Sequence, residues 1–399
     1  MQTQKESLSN REKSLLCPTY DRYPLEICSG RGTRLFTPDG GAYTDLLSGI
    51  AVCVLGHCHP EISAVIKEQC ETLLHVSNLF YQSPQLDLAR RLLDGSGVDR
   101  VFFCNSGAEA NEAALKIARR YMQTIRGSDA FEIITLEGSF HGRTLATLTA
   151  TGQDKIKQGF APLPGGFRSV PFADIKALEA AVSSQTAAVF LEVIQGEGGV
   201  RALPRKYLEE VQELCRDQGC LFMIDEVQTG LGRTGKLWAH QHFNLKPDVF
   251  TTAKGLANGL PLGAMLCTET VSRGFPSGSH GSTFGGGPLV CAVGNKVLEI
   301  IARDDLADKA DHLGRLALDR FQALQRRHPD RIAEIRGMGL MLGIELEFPA
   351  KEVWRQLLDR GFICNVVQER TLRLLPPLIL REQELLDFAD ALEEILAGV

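Results

Sequence analysis

Three short segments of the sequence place reactive residues at the ends of predicted strands. Asp225 ends the apolar run "LFMID", and Lys254 follows "DVFTT" among small residues and glycines. A lysine that is short of water can have a lowered pKa, which makes its amine a better nucleophile. The third segment, "CNSGAEANEAALK", leads from a strand into a helix whose first N–H groups can bind an anion; its residues are Ser106, Gly107 and Ala108.

An acid, a lysine and a phosphate seat at strand ends together fit pyridoxal phosphate. The lysine would hold the aldehyde of the cofactor. The acid would keep the pyridine nitrogen protonated, so that the ring can accept electrons from a bound substrate. The residues therefore predict a pyridoxal-phosphate enzyme.

The glycine-rich run "GLGRTGK", from Gly230 to Lys236, allows a different interpretation. It has the spacing of a nucleotide-binding loop, G-x-x-x-x-G-K, and it also contains G-x-G-x-x-G. However, Leu237 stands where a phosphate loop needs Ser or Thr, and "DEVQT" separates the run from the preceding strand. We expect a glycine turn, and keep a nucleotide-binding protein as the alternative from another functional class.

Strands and helices alternate through the middle of the chain. The predicted strands are short apolar runs, as in sheets covered on both faces: "RVFFC", "FEIITL", "TAAVFLEVI", "CLFMID", "PDVFTTA" and "PLGAMLCT". This order predicts a mainly parallel sheet, in which ligands bind at the carboxyl ends of the strands.

The terminal parts of the chain predict a second unit. Residues 286–399 are rich in helices, with a hairpin in "IRGMGLMLGIELE" and a strand in "TLRLLPPLIL". Residues 1–60 contain short strands and turns. We expect a large domain at 61–285 and a smaller α+β domain formed by 1–60 and 286–399.

Composition excludes several classes of protein. The chain has 399 residues, a net charge of -6 and 11 cysteines, with no CxxC pair. These values argue against a nucleic-acid surface and for reduced thiols in the cytoplasm. The start of the chain has no apolar core for a signal peptide, and no apolar run is long enough to span a membrane. The histidines of "GHCHP" lack the spacing of a zinc site, so no metal is expected.

Eight motifs are spread in order along nearly the whole chain, and some of them contain the segments described above: "GIAVCVLGHCHP", "NSGAEANEAALK", "FHGRT", "QGEGGV", "DEVQTGLGRTG", "AKGLANGLPLGA", "HGSTFGGGPL" and "LRLLPPL". Together they resemble the class III (subgroup II) pyridoxal-phosphate aminotransferases. The resemblance implies the α/β fold of the fold type I pyridoxal-phosphate-dependent transferases. It also implies a homodimer with shared active sites.

The resemblance assigns a role to individual residues. Lys254 matches the Schiff-base lysine and Asp225 the partner of the pyridine nitrogen. Phe140 and Val227 match residues on the two ring faces, and Gln228 a partner of the ring oxygen. Phosphate ligands are implied for Ser106, Gly107 and Ala108, and for Thr283 from the neighbouring subunit. Arg143 and Arg373 match the arginines that bind substrate carboxylates, and Glu197 the acid that pairs with Arg373.

Within the family, the sequence is most similar to the branch that acts on N-acetylornithine and ornithine. This implies transfer of the terminal amino group of N-acetylornithine to 2-oxoglutarate in arginine biosynthesis. Ornithine, succinyldiaminopimelate and 4-aminobutyrate remain alternative donors. The chain departs from the family at Val193, Gly287 and Asn258, where proline, asparagine and glycine are usual. The change at Gly287 is expected to loosen the loop that carries Thr283.

Overall fold

The computed structural model describes residues 8–398. Of the predicted domain segments, residues 1–7 and 399 therefore lie outside the described part. Its strands, in chain order, are β1 Ser29–Arg31, β2 Arg34–Phe36, β3 Ala42–Asp45, β4 Arg100–Cys104, β5 Glu132–Leu136, β6 Phe167–Val170, β7 Thr186–Leu191, β8 Ile194–Gln195, β9 Arg201–Ala202, β10 Leu221–Asp225, β11 Val249–Thr252, β12 Gly263–Cys267, β13 Ile332–Met338, β14 Met341–Leu346, β15 Phe362–Ile363, β16 Asn365–Val367 and β17 Thr371–Leu374.

Helices cover the faces of the sheets. The α-helices are α1 Leu8–Leu15, α2 Ser48–Ala51, α3 Pro60–Thr72, α4 Ser83–Leu93, α5 Gly107–Thr124, α6 Leu145–Ala150, α7 Ile175–Ala181, α8 Arg205–Gln218, α9 Glu269–Ser272, α10 Pro288–Arg303, α11 Leu306–Arg327, α12 Lys351–Asp359 and α13 Glu382–Ala397. Short 3₁₀ helices lie at Asp154–Lys157, Ala239–Phe243 and Lys254–Ala257.

A seven-stranded sheet in the order β4-β12-β11-β10-β7-β5-β6 forms the centre of the larger unit. The pairs β11–β10, β10–β7, β7–β5 and β5–β6 are parallel, and β12 runs antiparallel to both of its neighbours. Strands β7 and β10 are buried along their whole length, which explains their continuous apolar sequences. The predicted, mainly parallel α/β sheet is confirmed.

The chain termini share a second unit. β15, from the C-terminal part, pairs in parallel with β3, so the N-terminal strands and the C-terminal region form one sheet, β1-β2-β3-β15. The predicted hairpin is β13–β14, and it continues into β17 and β16. A separate apolar core lies here, with Phe321 and Phe388 among its buried residues. Helix α10, beyond the predicted boundary at 285/286, packs against α3 and α4, so the exact boundary stays a prediction.

Two predicted strands were too long. "TAAVFLEVI" is broken after Leu191, and its last residue, Ile194, belongs to β8, which pairs with β9 in a separate two-stranded ribbon. "TLRLLPPLIL" ends at Leu374, because the prolines at 376 and 377 have no N–H to continue a ladder. Within residues 8–398, no helix is both long enough and apolar enough to cross a membrane.

Candidate active site

The carboxyl ends of three adjacent parallel strands bring the predicted reactive residues to one edge. Asp225 is the last residue of β10, and Lys254 follows β11 after a single alanine. Ile224 of β10 pairs with Leu191 of β7, so the residues that follow them, Asp225 and Glu192, lie side by side. Glu192 was not predicted, because it lay inside what the sequence presented as one long strand.

The Asp225 carboxylate is buried and held by three donors. Its Oδ2 accepts from Asn111 Nδ2 at 2.7 Å and lies 2.9 Å from His141 Nδ1. Its Oδ1 accepts from the Val227 main-chain N–H at 2.9 Å. Thr251 Oγ1 in turn donates to Asn111 Oδ1 at 2.6 Å. These contacts fix the carboxylate in one orientation at the sheet edge.

Sequence reasoning missed Asn111 and His141 as supports of Asp225. A signal for Asn111 was available, because it lies four residues after Gly107 and therefore on the same face of α5. His141 follows Phe140 directly and stacks on Phe190, with ring centroids 4.4 Å apart. Its tertiary contact with Asp225 could not be inferred from sequence spacing.

Lys254 lies where burial favours a neutral amine. Burial lowers the pKa of Lys254, and the nearby Arg373 guanidinium also lowers it, while the carboxylates of Glu197 and Asp225 oppose the shift. Its backbone has φ 45°, a left-handed conformation that is uncommon for a residue with a side chain. An amine with a lowered pKa is available as a nucleophile and as a base near neutral pH.

The residues of the predicted anion seat lie at the start of α5. Ser106 is the N-cap of this 18-residue helix, and its hydroxyl accepts from the Glu109 N–H at 3.2 Å. Gly107 packs directly on Val227, because a Cβ at position 107 would lie 2.7 Å from Val227 Cγ1. The first N–H groups of a helix bind phosphate well, and this close contact leaves no room for a side chain at Gly107.

Phe140 and Arg143 lie on either side of His141, which contacts one of the acids at the sheet edge. Phe140 precedes His141, and its own N–H donates to Glu192 Oε2 at 3.1 Å. The guanidinium of Arg143 lies over the Phe140 ring, 5.6 Å from its centroid, and is exposed. Arg143 is thus a cation at the opening of the site.

Arg373 and Glu197 form an ion pair at 2.5 Å, as the sequence predicted. Arg373 is fully buried, and its Nη1 also donates to Gln228 Oε1 at 3.4 Å. Burial alone would raise the pKa of Glu197, but the charge and hydrogen bond of Arg373 outweigh it and lower the pKa. Arg373 Nη2 has no hydrogen-bond partner among residues 8–398, so one buried NH2 group is available for a further acceptor.

Thr283 lies elsewhere on the surface. It is exposed, in the loop that precedes α10, and lines a cleft of about 310 Å³ together with Asn105 and Glu109 near the start of α5. Asn105 Nδ2 donates to Ser282 Oγ of this loop at 3.2 Å. The loop is closed by hydrogen bonds from Gly287 N to Phe284 O and from Gly285 N to Ser282 Oγ. Gly287 is the N-cap of α10 and makes no side-chain hydrogen bond to the helix, which an asparagine at this position could add.

The other two departures have simple local explanations. Asn258 has φ 44°, a conformation that asparagine tolerates. Its Oδ1 accepts from Leu55 N at 2.8 Å and its Nδ2 donates to Gly56 O at 3.1 Å, contacts that glycine could not make. Val193 accepts from Leu203 N through its carbonyl, which a proline would also offer.

The glycine-rich run is a buried turn. Arg233 donates to the carbonyls of Leu340 and Pro376, and a Cβ at Gly230 would meet the Trp238 ring at 2.9 Å. A 3₁₀ helix at Ala239–Phe243 follows, instead of the α-helix that a nucleotide loop opens. The nucleotide-binding alternative therefore has no structural support.

The histidines of "GHCHP" make local structural contacts. His57 Nε2 lies 2.8 Å from Asp45 Oδ2, and this contact raises the pKa of His57 to about 10. His59 is the N-cap of α3. Within residues 8–398, no cluster of three or more His, Cys, Asp or Glu side chains could hold a metal ion.

The residues at the sheet edge fit pyridoxal phosphate. A lysine of lowered pKa, an acid held by three donors and a helix N-terminus converge there, and the tight Gly107–Val227 contact shapes the region between them. Fold and site together define the class of fold type I pyridoxal-phosphate enzymes.

The chain belongs to the aminotransferase class-III family, which it matches over residues 17–396. It is 42% identical to the acetylornithine aminotransferase of Methanocaldococcus jannaschii, with 99% of each chain covered. It is 46% identical to that of Myxococcus xanthus, with 95% of each covered. The ornithine aminotransferase of Toxoplasma gondii has a similar structure, with a TM-score of 0.94, 33% identity, and coverage of 98% of this chain and 94% of that one. One structure of that enzyme has partial occupancy of pyridoxal phosphate at the active site.

Proposed function

We propose that the protein is an aminotransferase that transfers the terminal amino group of N-acetylornithine to 2-oxoglutarate. The products are N-acetylglutamate 5-semialdehyde and glutamate. The observation that carries this proposal is the buried Arg373, which pairs with Glu197 and whose Nη2 has no hydrogen-bond partner in the part of the chain that the structure describes. It provides a carboxylate site that can be closed for one substrate and opened for the other.

The two substrates of this reaction place their carboxylates differently. N-acetylornithine reacts at its terminal amine, so its carboxylate lies far from the reacting carbon. Glutamate reacts at its α-amine, so one carboxylate is near that carbon and the other is far. We propose that Arg143 binds the distant carboxylate of either substrate, and that Arg373 binds only the near carboxylate of glutamate. When the substrate has no carboxylate near the reacting carbon, Glu197 forms the ion pair with Arg373.

Pyridoxal phosphate, when bound, supplies an electron sink for the electrons left when a proton leaves the substrate carbon. Lys254 would hold the cofactor, and its amine, once released, would carry that proton. Asp225 would keep the pyridine nitrogen protonated, and Gln228 would face the ring oxygen. Ser106, Gly107 and Ala108 would bind the phosphate, and Phe140 and Val227 would enclose the ring.

We also propose a homodimer in which Thr283 reaches the phosphate site of the partner subunit. The loop of Thr283 is joined to a neighbouring segment by hydrogen bonds from Asn78 to the carbonyls of Ser282 and Gly285. That segment exposes Leu79 by 86% and Tyr81 fully, and the loop exposes most of Phe284. Large apolar side chains grouped in this way are typical of an interface, and a second copy of the chain would bury them around a two-fold axis.

A reducing compartment such as the cytoplasm suits this enzyme, because all eleven cysteines, from Cys17 to Cys364, are free thiols.

A panel of amino donors with 2-oxoglutarate as acceptor tests the substrate. N-acetylornithine should give the highest kcat/KM, followed by ornithine, with succinyldiaminopimelate and 4-aminobutyrate behind. Ornithine is the second candidate, because the Toxoplasma gondii ornithine aminotransferase has a similar fold over nearly the whole chain. A higher kcat/KM for ornithine than for its acetylated form would reject the proposal.

A further inference from the structure

One hairpin, β16–β17, holds both members of the Glu197–Arg373 pair. Asn365 on β16 lies opposite Arg373 on β17, and its Oδ1 accepts from Arg373 Nε at 3.1 Å. Gln368, at the turn of the hairpin, donates from Nε2 to the main-chain oxygen of Glu197 at 2.8 Å. The hairpin therefore fixes the arginine side chain and the backbone of the acid at the same time.

The two partners differ in their freedom to move. The Arg373 side chain is fully buried, whereas the Glu197 side chain is 30% exposed. The loop that carries Glu197 is anchored again where Gly199 O accepts from Arg336 Nε at 2.8 Å. Arg336 is itself held by Glu345 at 2.5 Å. The main chain of the loop is thus fixed from two sides, and the Glu197 side chain is the part that can rotate.

The backbone at the hairpin turn is shaped for this contact. Gln368 and the following Glu369 have φ 50° and 63°, left-handed conformations that are uncommon for residues with side chains. A turn of two such residues persists only where the surrounding contacts hold it. The Gln368 amide and the pairing of β16 with β17 are contacts of that kind.

We propose that Gln368 is a positioning residue that sets the preference between donors with and without a carboxylate beside the reacting amine. This inference rests on the proposed function of Glu197 and Arg373. With its main chain fixed by Gln368, Glu197 loses little further freedom when it pairs with Arg373, so the pair is closed in the absence of a near carboxylate. Without Gln368 the loop is looser, and the closed pair is less favourable.

The test compares Gln368→Met with Gln383→Met. Methionine has nearly the length of glutamine but cannot donate the hydrogen bond. Gln383 makes a similar bond, from Nε2 to Asp387 Oδ1 at 2.8 Å, on the exposed surface of α13, so its variant is a matched control. Binding of glutarate, an unreactive dicarboxylate, to the cofactor-loaded enzyme is measured by calorimetry, and single-turnover rates are measured with N-acetylornithine and with glutamate.

Gln368→Met should bind glutarate about three- to tenfold more tightly than the unaltered protein, the range expected when the main chain of one residue regains part of its freedom and must be restricted again to close the pair. Its rate with N-acetylornithine should fall relative to that with glutamate by a similar factor, and Gln383→Met should change neither quantity. Unchanged or weaker glutarate binding by Gln368→Met would overturn the inference, as would an equal loss of rate with both donors. If the unaltered enzyme does not use N-acetylornithine, the proposed substrate fails, but glutarate binding still decides the role of Gln368.

Discussion

Replacing Glu197 by alanine should separate the two half-reactions of the enzyme. In the part of the chain that the structure describes, Glu197 is the one acidic side chain paired with Arg373, which is fully buried. Removing one partner of a buried ion pair costs about 3–5 kcal/mol. Because the Glu197 side chain is 30% exposed, water can replace it in the empty site, and the lower end applies, about 3 kcal/mol.

This cost should appear when N-acetylornithine fills the pocket and displaces the water. At about 1.4 kcal/mol for each factor of ten, the rate of this half-reaction should fall roughly a hundredfold. Glutamate brings its own carboxylate to Arg373 and no longer has to displace Glu197. Its half-reaction should therefore change by no more than a few-fold.

Stopped-flow measurements of single turnovers, which follow the absorbance of the bound cofactor, give each rate separately. Glu394→Ala is a suitable control, because it removes the exposed ion pair between Glu394 and Arg360, and such pairs contribute little. An equal loss in both half-reactions for Glu197→Ala would refute the proposed switch, and Glu197 would then be a structural acid.

Four further predictions follow from the site and its surroundings. Borohydride reduction and peptide mass analysis should find the pyridoxyl group on Lys254; an adduct on another lysine would reject the proposed site. Asp225→Ala should still bind the cofactor but lose about two or more orders of magnitude in kcat, since one positioned charged partner supplies that much; a near-normal rate would contradict this role. Mixing inactive Lys254→Ala with an impaired Thr283→Ala should restore activity through mixed dimers, whereas an active monomer in light scattering would exclude shared sites. Because the pKa of His57 is raised to about 10, its stabilising contact with Asp45 is fully present below pH 6.5 and is lost as the pH rises through 10. Between pH 7 and pH 10 the Tm of His57→Gln should therefore fall less than the Tm of the unaltered protein. An equal fall in both would show that this contact does not contribute to stability.

Local sequence was enough to predict the elements that carry the site. Continuous apolar runs marked β10 and β7, because both strands are buried on two faces, although the predicted β7 ran past its true end at Leu191. The C-terminus of α8 was predictable from Gly219, which adopts φ 70° as the left-handed cap. These features depend on neighbours within one turn or one strand.

Contacts between distant segments could not be predicted in the same way. The Asn111 contact with Asp225 joins residues 114 positions apart, and the Gln368 contact with Glu197 joins residues 171 positions apart. The break of the predicted strand at Glu192 could not be predicted either, because the apolar residues on both sides of Glu192 are buried, as they would be in one continuous strand. The sequence therefore predicts which residues react, but the contacts that hold them were visible only in the structure.

The acids at the sheet edge show why the surrounding donors, and not the residue type, determine the role. Glu226 follows Asp225 directly, yet its oxygens are taken up by Thr229 Oγ1 and by two contacts with His240. Glu192 is next to Asp225 but receives one main-chain N–H; burial, followed by the charge of Asp225, raises the pKa of Glu192 and favours its neutral form.

Asp225 differs from both of these acids and from Glu197, whose charge is balanced by Arg373. Its donors are an amide, a main-chain N–H and an imidazole, so they orient the carboxylate without requiring a permanent positive charge beside it. The raised pKa of Glu192 disfavours a competing negative charge at this edge. We therefore propose Asp225, of these carboxylates, as the one that stabilises a protonated pyridine nitrogen, which is the property that the proposed reaction requires.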